Sequence, residues 1–327
     1  MTRSPLLLLV ALGLAAEEPA RTTTTPAPAE EEIVLTPVRR TPPKPPGDNL
    51  VNGSASFSVG YDTNILQQSP DDLEATDAKG VATSLDVQLG VRVLSGDLGR
   101  VSIGGSAGYD SYAAEPSANL LRYGGNIATA FKAGPVDPGA VLSFSRYILE
   151  TDAVANATSF NPYAAIVGRR QVGIIGLSTQ YLDYLQNPDS SGTIYDVSYR
   201  HWLLWEENVI SRRLEISLRA AAFRSVEQAN DYTSFTPGLG LLWRFGDDPT
   251  WGTIDTALRA TWEQRDFRDL DTEGEEQRML GVRASADAWI TGWMTAGPFI
   301  AATRRTSTQD YAEFERVQVG LKTSATW

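Results

Sequence analysis

The side chain best suited to moving protons near neutral pH occurs once in this 327-residue chain, as His201 in the stretch YDVSYRHWLLWEE. A hydrolytic centre would need that imidazole beside a Ser, Asp or Glu, so that one group takes the proton another gives up. Read with a period of two, the stretch puts His201 in a row with Tyr199, Leu203 and Trp205, and Asp196, Ser198 and Arg200 in the opposite row. The histidine thus falls on the apolar side, away from the nearest acid and hydroxyl, and reads as an amphipathic interfacial residue. Cysteine is absent, which excludes thiolate chemistry and disulfides, and one His without Cys leaves no set of transition-metal ligands. The acidic runs Asp71-Asp72-Leu73-Glu74 and Asp269 to Glu276 offer oxygens to a hard cation but lack the ligand spacing of a calcium loop. They read as solvated loop charge. Gly104-Gly105 and Gly124-Gly125 lie inside alternating stretches and do not join a strand to a helix, so they are not phosphate loops. The chain is expected not to be an enzyme and to hold no cofactor.

What remains is a set of charges spaced two apart. Asp86, Arg92, Asp110, Arg122, Asp196, Arg200, Glu215, Arg219, Arg244, Asp255, Arg259, Glu263, Arg283, Asp287 and Lys322 share rows with small or polar residues, mostly Ser, Gly, Thr or Gln, and oppose rows that are largely apolar. In 81–94, for example, Leu85, Val87, Leu89, Val91 and Val93 oppose Asp86, Gln88 and Arg92; in 277–290, Val282, Ala284, Ala286, Ala288 and Ile290 oppose Arg283, Ser285 and Asp287. A pleated strand sends such rows to opposite faces. If the aliphatic row meets lipid, the charged row lines a lumen. Both signs occur in that row, so no ring of one sign marks an ion-selective pore.

Those rows must be held by strands, and the rest of the chain supplies them. Residues 1–16 run from Met-Thr-Arg-Ser-Pro through LLLLVALGLAA, the charged start, apolar core and small-residue end of a secretory signal peptide. Residues 17–49, rich in Thr, Pro and charge, read as a disordered periplasmic tether able to dock periplasmic protein partners. From residue 50 to 327 no helical period persists, whereas alternation recurs in fourteen segments near 51–63, 81–94, 100–112, 119–132, 139–149, 158–169, 172–185, 193–206, 212–224, 233–245, 251–265, 277–290, 294–306 and 314–327. Connectors after even segments are mostly short, and those after odd segments are longer and acidic, including 69–80, 186–192, 227–231 and 268–276. The expected fold is all-β: an up-and-down antiparallel transmembrane barrel of about fourteen strands. A soluble sandwich would also alternate; the even strand count, the loop asymmetry and the aromatics near strand ends favour the barrel. A formal charge of −12 and a pI near 4.7 exclude nucleic acid as a partner.

Two short motifs carry a resemblance. The first segment ends in Gly60-Tyr61-Asp62-Thr63-Asn64, and 317–327 alternates to a final Trp327. This opening and closing resemble the outer-membrane β-barrel porins of Gram-negative bacteria, and the opening is similar to the barrel of surface-lipoprotein assembly modifiers, whose helical-repeat domain is missing here. The resemblance implies an outer-membrane location, outer-membrane lipids around the barrel, and recognition of the terminal strand by the barrel-assembly machinery. It further implies a pore or export passage for polysaccharide or small solutes; the alternative is a structural part of a trans-envelope machine for secretion or gliding motility, anchored through the tether. Tyr61, Tyr109, Trp205, Trp262 and Trp327 are the expected membrane-interface aromatics. GYDTN and its counterpart Gly108-Tyr109-Asp110-Ser111-Tyr112 read as points where a strand leaves the membrane, with Tyr toward lipid and Asp toward the lumen.

Overall fold

The computed structural model describes residues 50–65, 79–96, 99–133, 136–207, 209, 211–227, 231–246, 252–267, 275–308 and 313–327. The leader, the tether and most of the two acidic runs lie outside the described residues. Fourteen strands follow one another: β1 (Val51–Asp62), β2 (Gly80–Gly96), β3 (Gly99–Tyr112), β4 (Leu120–Phe131), β5 (Val136–Leu149), β6 (Asp152–Val167), β7 (Gln171–Tyr184), β8 (Gly192–Leu204), β9 (Arg213–Ser225), β10 (Tyr232–Phe245), β11 (Ile254–Phe267), β12 (Glu276–Thr291), β13 (Met294–Ser307) and β14 (Phe314–Thr326). Each pairs antiparallel with its neighbours in sequence, and β1 pairs with β14, so the sheet closes into a barrel with no free edge. A strand spacing of about 4.8 Å and a tilt of about 40° put the backbone wall of such a barrel about 28 Å across.

Closure settles which row faces which way. Leu85, Leu89, Val91, Ile103, Ile127, Leu142, Phe160, Ile175, Val197, Leu239, Leu258, Ile300 and Val319 are among the large apolar side chains exposed on the outside. The charged strand residues on that outer surface are Arg146, Asp183, Arg224, Asp266, Glu276, Arg278, Arg304 and Glu315, all within three residues of the strand end opposite the chain termini. Between those ends and the termini lies an apolar belt free of charge. Water would leave this belt unpaid for by any burial, whereas a bilayer core surrounds it with like material; the barrel is a membrane-spanning one.

The outer ends, away from the termini, share a local device. Asn119 Oδ1 accepts the Tyr112 N–H at 2.7 Å, and Ser191 Oγ accepts the Tyr184 N–H at 2.8 Å. Asp231 Oδ1 takes the Ser225 N–H at 2.7 Å and Glu313 Oε1 the Ser307 N–H at 3.2 Å. In each case a side chain just before the next strand satisfies a backbone donor at the end of the last one, as a buried or half-buried donor requires. The first two loops match further: each carries a single 3-10 turn led by proline, Pro116–Ala118 and Pro188–Ser190.

One connection differs from expectation. The stretch 150–157 reads as loop, yet β6 begins at Asp152 and a two-residue turn, Glu150-Thr151, joins it to β5. Glu150 takes a left-handed backbone (φ 56°), and a bulge beside Tyr147 absorbs Val154. The bulge is why alternation is broken there. The loops are also less one-sided than expected: 205–212 and 246–253, at the inner end, are longer than this outer turn.

Candidate functional site in the barrel interior

The structure places all fifteen expected lumen residues on inward rows, and pairing joins most of them. Arg122 on β4 donates to Asp86 on β2 at 2.5 Å and to Asp110 on β3 at 3.1 Å. Gly108 lies between them; a Cβ there would stand 2.5 Å from Arg122 Nε and 2.6 Å from Asp86 Oδ1, so glycine opens the route for the guanidinium. Arg219 pairs with Asp196 at 3.0 Å. Arg244 grips Asp255 through Nε and Nη2 at 2.6 and 2.7 Å, Trp289 Nε1 donates to the same carboxylate at 2.8 Å, and the Arg244 guanidinium lies over the Trp289 ring. Glu215 stands among three guanidinium groups, with Arg200, Arg213 and Arg259 at 3.7–3.8 Å. Glu263 accepts from Arg265 at 2.8 Å. Arg92 lines the inner end of β2, and Arg283, Asp287 and Lys322 face inward on β12 and β14.

The expected list omits eight inward charges: Asp62, Arg100, Asp137, Asp152, Arg213, Arg265, Arg305 and Arg316. Alternation carries the signal for most of them, since Arg213 lies two before Glu215, Arg265 two after Glu263, and Arg316 in the row of Gln318 and Lys322. All eight lie near strand ends, where a charge reads as loop, although the opening motif by itself turns Asp62 toward the lumen. With them the inward strand rows hold thirteen cationic side chains against ten carboxylates, in a chain of formal charge −12.

The opening motif does more than end a strand. Asp62, fully buried, accepts from Arg316 Nε and Nη2 (2.9 and 2.6 Å at Oδ2), from Gln318 Nε2 at 2.9 Å and from the Asn64 N–H at 3.0 Å. Thr63 exchanges bonds with Val317: its N–H donates to the Val317 carbonyl at 3.0 Å, and its Oγ1 accepts the Val317 N–H at 2.8 Å. Asn64 Nδ2 donates to the Glu315 carbonyl at 3.0 Å. Three consecutive residues of β1 and its exit thus bolt the first strand to the last at the outer end. At the inner end Gly53 and Trp327 exchange backbone bonds at 2.9 and 3.0 Å, and the Trp327 ring covers Gly53, which has no Cβ to obstruct it. In the second motif Asp110 likewise pairs with an arginine of the next strand.

The interior is not evenly filled. On the β5–β11 side the outer half holds a packed cluster of Ala155, Ala157, Leu182, Tyr184, Ile194, Ala221, Phe223 and Tyr232, and the inner end of β7 and β8 holds Val172, Trp202 and Leu204, with Arg213 over the Trp202 ring. The opposite wall, β14 with β1 to β3, carries small inward residues: Ser54, Ser56, Ser58 and Gly60 on β1, Ser102, Gly104, Ser106 and Gly108 on β3, Gly320 and Ser324 on β14. A cavity of ≈ 50 Å³ lies against this wall, bordered by Ser56, Ser58, Ser84, Asp86, Arg283 and Lys322. That is room for a few waters, and the polar lining gives each the partners it needs.

On the outside, Tyr61, Tyr109, Trp205, Trp262 and Trp327 are all exposed among the apolar rows. His201 is also on the outer row; its Nδ1 lies 3.0 Å from the Tyr199 hydroxyl, and its neighbours Asp196, Ser198 and Arg200 point the other way. Among the described residues no group of three His, Cys, Asp or Glu is arranged to hold a metal ion.

No family model matches the chain, and no curated protein matches it. Solved structures do resemble it in backbone. An anion-selective porin from Comamonas acidovorans aligns over 85% of this chain and 98% of its own, at 10% identity and a TM-score of 0.49. A loop-deletion form of OmpT, an outer-membrane protein of Vibrio cholerae, aligns over 85% and 100% at 7% identity and a TM-score of 0.46. A bacterial polysaccharide outer-membrane secretin aligns over 85% and 99% at 12% identity and a TM-score of 0.42.

Proposed function

We propose that the protein is an outer-membrane barrel that gives small hydrophilic solutes a water-filled passage along its β14–β3 wall. The observation that carries this reading is the contrast between the two rows. The outer row is apolar and without charge across the belt; the inner row of the β14–β3 wall is made of small, polar and charged residues at the same level, and across from it Arg200, Arg219 and Arg259 are about a third exposed inside the barrel. A barrel of eight strands is filled by its own side chains, and one of sixteen to eighteen leaves an aqueous channel; at fourteen, packing on one side and small residues on the other leave the passage off centre. Serine and glycine on a strand add nothing to its packing, and their concentration on one wall is what a path needs.

Purified protein refolded into a planar bilayer is expected to give discrete conductance steps in potassium chloride. Their absence, with the barrel shown to be folded by its heat-dependent gel mobility, would refute the passage. The periplasmic tether, the assembly-machinery contact through the strand ending in Trp327, and export of polysaccharide remain part of the same proposal, supported by the sequence features described above.

A further inference from the structure

We infer that the passage favours small anions over cations, and that Arg283 is the station at which they are held. This deepens the passage reading and depends on it. The chain as a whole is strongly acidic, yet the sign reverses on the inward rows, where cationic side chains outnumber carboxylates thirteen to ten. The small-residue wall narrows the question to the cavity. Three carboxylates border it, and each is already bound: Asp62 by Arg316, Asp86 and Asp110 by Arg122. Two cationic side chains border it as well, Arg283 and Lys322.

Arg283 differs from the paired inward arginines described above, and unlike Arg92 at the inner end of β2 it borders the cavity. It makes no carboxylate ion pair and no hydrogen bond among the described residues; its guanidinium rests on the Phe299 ring, 5.0 Å from the centroid. Its direct cross-strand neighbour is Arg259, and like charges set opposite each other cost stability. Arg259 turns toward Glu215 at 3.8 Å, on the side away from the cavity. The next acid along β12, Asp287, accepts from Ser285 Oγ at 3.3 Å and sits opposite Asp255, which belongs to Arg244. A guanidinium spread on an aromatic face, beside a water-sized cavity and a lysine, presents its donors to whatever anion enters: chloride, phosphate or a carboxylate. The low-dielectric wall focuses the field of these charges along the path, whereas acidic groups outside the barrel are screened over about 8 Å at physiological salt.

The test is the zero-current potential of the refolded full-length protein in a potassium chloride gradient, for the wild type and for Arg283→Glu and Arg283→Gln. The wild type is expected to pass chloride severalfold more readily than potassium; Arg283→Gln should reduce the ratio, and Arg283→Glu should abolish or reverse it. Conductance steps with no chloride preference would overturn the inference while leaving the passage standing. Absence of steps would overturn both. Chloride preference unchanged in Arg283→Gln would remove Arg283 as the station, and if Arg283→Glu does not fold, the wild-type sign and the Gln variant decide between these outcomes.

Discussion

Replacing Asp62 with Ala is expected to destabilise the folded barrel by about 3–5 kcal/mol, the usual consequence of removing one partner from a buried ion pair. Asp62 is fully buried, and the Arg316 side chain it neutralises is only 6% exposed. Without the carboxylate, a guanidinium stays in a dry site and the Asn64 N–H and Gln318 amide lose their acceptor. The damage falls on the β1–β14 seam, which is made last in sequence and joins residues 254 apart, so no local contact compensates. Urea unfolding in detergent micelles, followed by the fluorescence of the eight tryptophans, measures the loss. The double variant Asp62→Leu with Arg316→Met should recover much of it, because well-packed apolar side chains replace a buried pair at little cost. A loss below about 1 kcal/mol would mean that the pair is solvated and that GYDTN does not bolt the barrel shut.

The second large effect separates neighbours. Leu89 lies near the middle of β2 on the outer row, half exposed; Gln88 beside it faces inward. Leu89→Arg is expected to cost about 2–4 kcal/mol in phospholipid vesicles, the penalty for arginine near the bilayer midplane on a barrel's lipid face. Gln88→Arg places the same side chain in the lumen, two residues from Asp86, and should be close to neutral. Equal costs at the two positions would contradict the assignment of the rows. The contrast is informative because both variants share a strand, a backbone level and a new side chain, leaving the direction of the pleat as the difference.

Much of this architecture was legible in the sequence because the pleat turns a three-dimensional distinction, lipid or lumen, into a period of two. Ser54, Ser56 and Ser58 against Ala55, Phe57 and Val59 show β1 and its faces without further help. Where the period fails, so does the reading: Val154 inserts at a bulge and shifts alternation at the start of β6, and the stretch Asp152 to Asn156, with Ala153, Val154 and Ala155 in a row, shows no period of two and reads as a loop. The interior was read less completely than the wall. Arg213, Arg265, Arg305 and Arg316 lie near strand ends, and a charge there has the same local sequence whether it turns into the lumen or out into solvent. What ties them down is partners from other strands, such as the Tyr232 and Phe314 rings under Arg265 and Arg305. Neither those partners nor the filling of one side of the barrel by Tyr184, Phe223 and Tyr232 is written in any single strand. The balance of charge changed accordingly, from an even mixture to a cationic excess.

The central claim is that the inward rows face water and the outward rows face lipid, and the chain has no cysteine to interfere with a direct test. Single cysteines at Ser58, Ser106 and Ser198, and at their outward neighbours Val59, Ala107 and Val197, are to be exposed in vesicles to a charged, membrane-impermeant methanethiosulfonate. The inward thiols, able to ionise in water, should react readily, and the outward ones, held as thiols in hydrocarbon, should remain unmodified. Modification of the outward set, or protection of the inward set in folded protein, would contradict a water-lined passage through the barrel.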